Sequence, residues 1–272
     1  MSIFPNFEEK IYFGEFLRIV KNNPEHYLYE QSLKAIDDLT LGYSICYCSI
    51  VDIIVRRGKD TIRITDTFPY FNEFVCEKFS DPSMTPYTMK IDRKYPDFAE
   101  AIENLVKLYD EYVNDYMNYL SKGKIELNTH RYYVSAESKQ FDNFDANQIY
   151  YQCMNLFHRR LWAMITSPYS AKKMKTFLNG FYYCAKHYNV EVDPHPGFYD
   201  YIQNKYKGKT GEDAFETLSL NHGGETSAYK FFEHLSEFLI ENDMKEYLDI
   251  YHRDMEAVPY LEGHPLYKES FS

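Results

Sequence analysis

His234 and Glu237 lie three residues apart, with Glu233 beside them, in a segment of helical periodicity. That spacing puts an imidazole and a carboxylate on one face of a helix, where they can share a proton or ligate a cation. No second histidine stands four residues from His234, so the zinc arrangement H-E-x-x-H is missing. Cys184 and His187 repeat the three-residue spacing, with His195 downstream. A buried thiol and a surface imidazole account for that pair without a metal. His158, Arg159 and Arg160 are the first suspects if the chain is an enzyme. Helical ribonucleases of the HEPN type place a histidine after the arginine at a short fixed spacing, and no arginine here has one. Gly208-Lys209-Thr210 copies the end of a phosphate-binding loop, but Gln203 stands where the first glycine is required. The preceding segment also reads as a helix, where that loop follows a strand. Glu8-x-Lys10 and Glu137-x-Lys139 carry the carboxylate–lysine pairing of restriction-type nucleases without a strand to hold it. No elbow turn exposes a serine or cysteine nucleophile. These residues assign no catalytic site, cofactor or metal.

The distribution of charge is more informative. Residues 146–190 contain no Asp or Glu, yet carry Arg159, Arg160, Lys172, Lys173, Lys175 and Lys186. Residues 191–272 carry 17 acids against 7 bases, and the first 145 residues 24 acids against 17 bases. The chain as a whole is at −11. That balance argues against general nucleic-acid binding, which needs a basic face to displace counterions. It fits a cationic partner. The basic stretch, with Arg159, Arg160, Lys172, Lys173 and Lys175, reads first as helices docked on the acidic segment and second as an anion-binding face. The acidic series is Asp200, Glu212, Asp213, Glu216, Glu225, Glu233, Glu237 and Glu241. It reads as a solvated face or as a docking surface. Aromatic residues threaded through it, Tyr229 among them, favour docking, since binding hot spots combine aromatics with charge.

These residues need elements to position them. Phe7–Lys21 is an amphipathic helix ended by Asn22-Asn23-Pro24. A second helix is expected over Leu28–Arg57, apolar on most faces at its centre, with Arg56-Arg57-Gly58 as its C-terminus. Thr61–Thr65 reads as a short strand or an extended linker. Helices follow over Phe68–Phe79 and Tyr95–Lys122, separated by loop from Asp81 to Asp92. The polar stretch Lys124–Asn143 marks a boundary between an N-terminal region, 1–143, and a C-terminal region, 144–272. The second region reads as helices over Asp145–Thr166, Ser170–Tyr188, Asp193–Tyr206, Glu212–Leu220, Ser227–Glu241 and Met244–Asp254. The expected fold is all-α, a bundle of about ten helices in one or two packed groups with little or no sheet.

The 28 Tyr and 20 Phe read chiefly as core residues. The five cysteines, Cys46, Cys48, Cys76, Cys153 and Cys184, form no C-x-x-C, and reduced buried thiols are expected. The apolar stretch Leu39–Val55 is interrupted by Ser44, Ser49 and Asp52, so no membrane span is expected. The N-terminal residues lack the pattern of a signal peptide, and a cytoplasmic location is expected.

Residues 195–241 resemble C-terminal regions of small bacterial immunity proteins that neutralise polymorphic or contact-delivered toxins. The resemblance rests on an aromatic helix ending near Lys205-Tyr206 and a following helix. It rests too on a third helix carrying Ala228, Tyr229, Phe231, Phe232, Glu237 and Phe238. A tryptophan expected in the middle helix is Phe215 here. Tyr12-Phe13 and the segment Leu41–Arg57 are similar to helical immunity domains as well. The resemblance implies a toxin domain as protein partner and no catalytic residues, and the acidic charge makes the expected partner a cationic domain such as a nuclease. An adaptor or phage anti-defence protein, and an enzyme with an unfamiliar helical site, are the alternatives.

Overall fold

The computed structural model describes residues 6–50, 54–57, 60–63, 71–83, 85–121, 146–159, 161, 165, 168–187, 192, 197–207 and 213–251. Among these residues the fold is all-α apart from one small hairpin. The helices are α1 (Asn6–Asn22), α2 (Pro24–Tyr27), α3 (Leu33–Ile50), α4 (Phe71–Phe79), α5 (Tyr87–Lys94), α6 (Phe98–Ser121) and α7 (Ala146–Arg159). They continue with α8 (Ala171–His187), α9 (Phe198–Tyr206), α10 (Ala214–His222), α11 (Gly224–Glu241) and α12 (Lys245–Tyr251). The hairpin pairs β1 (Ile54–Arg57) antiparallel with β2 (Asp60–Arg63), with Val55 opposite Ile62.

The helix expected over Leu28–Arg57 is shorter than its sequence suggests. Ser32 opens α3, its hydroxyl accepting the Ala35 N–H at 3.1 Å, and the helix stops at Ile50. The run Ile50-Val51 and Ile53-Ile54-Val55 is β-branched, which favours extended backbone. Arg56 and Arg57 therefore lie in β1, opposite Thr61 and Asp60, and do not end a helix. The expected extended piece near Thr61 is β2. A second correction is α5, which occupies much of the expected Asp81–Asp92 loop. Only Ile91 of its eight residues is a buried apolar side chain, so the periodic signal was too short to read. The next helix starts at Phe98, with Asp97 accepting the Glu100 N–H at 3.0 Å, and not at Tyr95. The expected boundary at Lys124–Asn143 lies outside the described residues.

The N-terminal and C-terminal regions share one core. Its central seam joins α3 to α8 almost backbone to backbone. A Cβ on Gly42 would lie 1.8 Å from the Phe177 carbonyl oxygen, and one on Gly180 would lie 2.0 Å from that of Leu39. Only glycine fits at either position. Cross-links of hydrogen bonds flank the seam: Tyr29 N–H to Thr176 Oγ1 at 2.8 Å, and Asn179 Nδ2 to the Tyr27 carbonyl at 3.0 Å. The abundant aromatics fill this core. Tyr43, Tyr47, Tyr109, Tyr150, Tyr151 and Tyr251 are fully buried, as are Phe16, Phe157, Phe177, Phe181 and Phe198. Cys46, Cys153 and Cys184 are buried free thiols, and burial drives the Cys153 thiol well above its ordinary range. No helix of the described residues is long and apolar enough to cross a membrane.

Candidate functional site

His234 and Glu237 are joined, as their spacing implies, and two further helices extend the pair into a chain of hydrogen bonds. His234 Nδ1 meets Glu237 Oε2 at 2.6 Å. His234 Nε2 meets the Tyr206 hydroxyl at 2.5 Å, and that hydroxyl meets His222 Nε2 at 2.6 Å. The local sequence places each member. Tyr206 is the last residue of α9, which turns off through Lys207 in the left-handed region (φ 50°). His222 is the last residue of α10, and Gly223, at φ 63°, swings the chain directly into α11, which carries His234 and Glu237. Around the chain, Lys205 pairs with Glu237, Tyr201 donates to Glu237 at 3.3 Å and to Glu241 at 3.2 Å, and Lys230 pairs with Glu233 at 2.6 Å.

One assignment of protons satisfies every member. A neutral His234 donates from Nδ1 to the Glu237 carboxylate and accepts from the Tyr206 hydroxyl at Nε2. Tyr206 in turn accepts from His222 Nε2. The surroundings of each group agree with this assignment. Burial holds the His234 imidazole below its usual value, against the opposing pull of Glu237. Burial, with Lys230 and His234 adding to it, lowers His222. Burial raises the Tyr206 phenol. For Glu237, burial pushes upward, but the hydrogen bonds from Lys205 and His234 outweigh it and keep the carboxyl low. Near neutral pH the chain thus carries one anionic carboxylate, two neutral imidazoles and a protonated phenol. Its hydrogen bonds tie α9, α10 and α11 together.

Ligand atoms of Glu233, His234 and Glu237 lie within 4.8 Å of one another, the separation a metal ion would need. Each is already engaged: Glu233 by Lys230, Glu237 by Lys205, and both nitrogens of His234 by Glu237 and Tyr206. A cation would have to displace two ammonium groups, so the arrangement acts as a hydrogen-bonded relay.

The remaining acidic residues lie elsewhere. Asp213 caps α10, accepting the Glu216 N–H at 2.8 Å, and forms an ion pair with Lys175. Asp200, Glu216, Glu225 and Glu241 are exposed, and Tyr229 is half-buried on α11. Among the described residues no cation pairs with Asp200, Glu216 or Glu225. Glu212 and Arg160 lie outside the described residues.

The described basic residues sit in different settings. Lys173 is buried, its ammonium 5.2 Å from the centre of the Tyr29 ring. Lys175 is held by Asp213, Lys172 is exposed, and Arg159 is half-buried at the end of α7. Lys172 and Lys175 line a cleft of about 220 Å³ together with Glu25, His26, Asn179, Asp213 and Glu216. A neighbouring cleft of about 230 Å³ is lined by Tyr182, Tyr199, Gln203 and Phe215. His158 is a packed core residue: its ring stacks on Phe232 with centroids 4.4 Å apart, and its Nδ1 meets the Tyr251 hydroxyl at 2.8 Å.

Sequence spacing found His234–Glu237 and missed Tyr206 and His222 as its partners, because these come from separate helices. Tyr206 stands at the end of an expected helix, whereas the next expected helix ends at Leu220, short of His222. The succession His222-Gly223, a basic residue followed by glycine, is the signal that could have placed it. No protein-family model matches the chain, and neither a curated protein nor a solved structure matches it.

Proposed function

We propose that this chain is a binding protein of the immunity type, which captures a cationic toxin domain, a basic nuclease foremost, and occludes it. The observation that carries this reading is that, among the described residues, no cation pairs with Asp200, Glu216 or Glu225. Of the lysines in the basic segment, Lys173 is spent inside the fold and Lys175 cancels only Asp213. Asp200, Glu216, Glu225 and Glu241 remain on the surface of α9, α10 and α11. Uncompensated carboxylates of one sign steer an oppositely charged partner and suppress like-charged ones. The relay beneath them holds three helices in a fixed arrangement, so the surface is preorganised for binding.

The test is binding of the purified chain to a panel of cationic toxin domains, followed over a range of salt. One domain should bind, with an association rate that falls as salt rises. Reversing Asp200, Glu216, Glu225 and Glu241 together to Lys should slow association by about tenfold or more and flatten the salt dependence. Association unchanged by the reversal, or no binding anywhere in the panel, would overturn the reading.

A further inference from the structure

Cys76, on α4, and Lys90, on α5, meet at a place that the acidic surface and the relay do not use. Lys90 is only 3% exposed. Its ammonium has three donors, and three acceptors surround it: the Asp81 carbonyl at 2.9 Å, the Ser83 carbonyl at 2.7 Å and Cys76 Sγ at 2.7 Å. Among the described residues no carboxylate forms an ion pair with it. A buried ammonium is costly without a counter-charge. The Cys76 sulfur stands directly against that ammonium, and the thiolate is the nucleophilic form of cysteine.

Two further observations single out this pair. Cys76 is half-buried, whereas Cys46, Cys153 and Cys184 are enclosed in the core. Among the described cysteines, Cys76 is therefore the one most open to an oxidant in solution. The separation from sulfur to nitrogen is also unusually short. Ordinary polar contacts of the same sulfur, with Asn72 Nδ2 and the Ser83 carbonyl, span 3.9 and 3.8 Å. At 2.7 Å the two atoms stand as far apart as a sulfur and a nitrogen that share one oxygen between them.

We propose that Cys76 and Lys90 are a modification site, at which peroxide links the two side chains through a single oxygen as S–O–N. The chemistry balances with two equivalents of hydrogen peroxide. The Cys76 thiolate attacks one peroxide, breaking its O–O bond to give a sulfenic acid and hydroxide. The hydroxide takes a proton from Lys90 and leaves as water. The neutral amine attacks the second peroxide, again breaking the O–O bond, and becomes a hydroxylamine with loss of water. The hydroxylamine oxygen then attacks the sulfenic sulfur. The S–O bond forms, and the departing hydroxide removes the remaining proton as the third water. Sulfur and nitrogen each lose two electrons. Before the reaction, the Asp81 and Ser83 carbonyls hold the ammonium against the sulfur.

Peroxide titration of the full chain, followed by intact mass and peptide mapping without reductant, tests this. The expected product gains one oxygen and loses two hydrogens. It joins the peptide containing Cys76 to the one containing Lys90, blocks tryptic cleavage after Lys90, and reverts with dithiothreitol. Oxidation of Met84 or Met89 adds oxygen but joins no peptides, so the link is distinguishable. Cys76→Ser should abolish it. Lys90→Arg keeps the cation and should send Cys76 on to sulfinic and sulfonic acids. If the unmodified sequence reaches those acids as readily as Lys90→Arg, or if Cys76→Ser still yields joined peptides, the proposal fails. Should Lys90→Arg not fold, the Cys76→Ser comparison decides alone.

Discussion

Asp37 shows how much one residue's setting can differ from its appearance in the chain. It is one of two adjacent aspartates on α3, and its neighbour Asp38 is buried. Burial drives the Asp37 carboxyl up to about 7, against a 2.7 Å hydrogen bond from the Thr88 hydroxyl and with help from the charge of Asp38. The folded state therefore holds a proton that the unfolded chain releases at its ordinary value of 3.8. Stability from this group is fullest below the unfolded value and declines as pH rises through the folded one. Asp37→Asn removes that dependence. At pH 8 the variant should be more stable by about 1–2 kcal/mol, and at pH 4 it should show no gain. Urea unfolding at the two pH values checks this, and equal differences at both would contradict it. Nothing in the sequence distinguishes Asp37 from a solvated aspartate, because desolvation depends on neighbours brought in by α5. The relay is intermediate in this respect. His234–Glu237 was legible from local spacing, while Tyr206 and His222 were not.

Among the elements, α3 and α8 decide the packing, and two glycines decide how closely they approach. Glycine in a helix interior lowers intrinsic helix stability, so a helical glycine with no close neighbour gains from substitution by alanine. Gly42 is the opposite case, since the added Cβ would overlap the Phe177 carbonyl oxygen, part of a rigid backbone. Gly42→Ala should lower stability by about 3 kcal/mol as the helices are forced apart. Gly14→Ala is the control: its Cβ would meet side chains alone, the Tyr109 ring at 3.3 Å and the Arg18 guanidinium at 3.6 Å, and it should change stability far less. Thermal or urea unfolding of both variants provides the comparison, and equal effects would contradict the packing argument. Periodicity identified α3 and α8 as helices but gave no sign of which partner each would choose. It also overextended α3, because apolar β-branched residues suit a buried helix and a strand alike, and only the pairing of β1 with β2 separates the two.

At the scale of the whole molecule, the all-α class and the separation of charge between residues 146–190 and 191–272 could be read directly. Where those charges end up could not, since Lys173 and Lys175 are close in sequence yet one is buried under Tyr29 and the other sits against Asp213. The single core across both regions predicts one cooperative unfolding transition. Fluorescence from Trp162, in the C-terminal region, and hydrogen exchange of α1 and α6 should report the same urea midpoint. An earlier transition in α1 and α6 would show that the regions unfold separately. The α3–α8 seam also has a consequence for biosynthesis. Tyr29 finds its Thr176 partner only across a gap of 147 residues. A ribosome takes on the order of 10 s to cover that distance. During that interval α3 has emerged without the helix that closes over Gly42, so the seam forms only after most of the chain has been made.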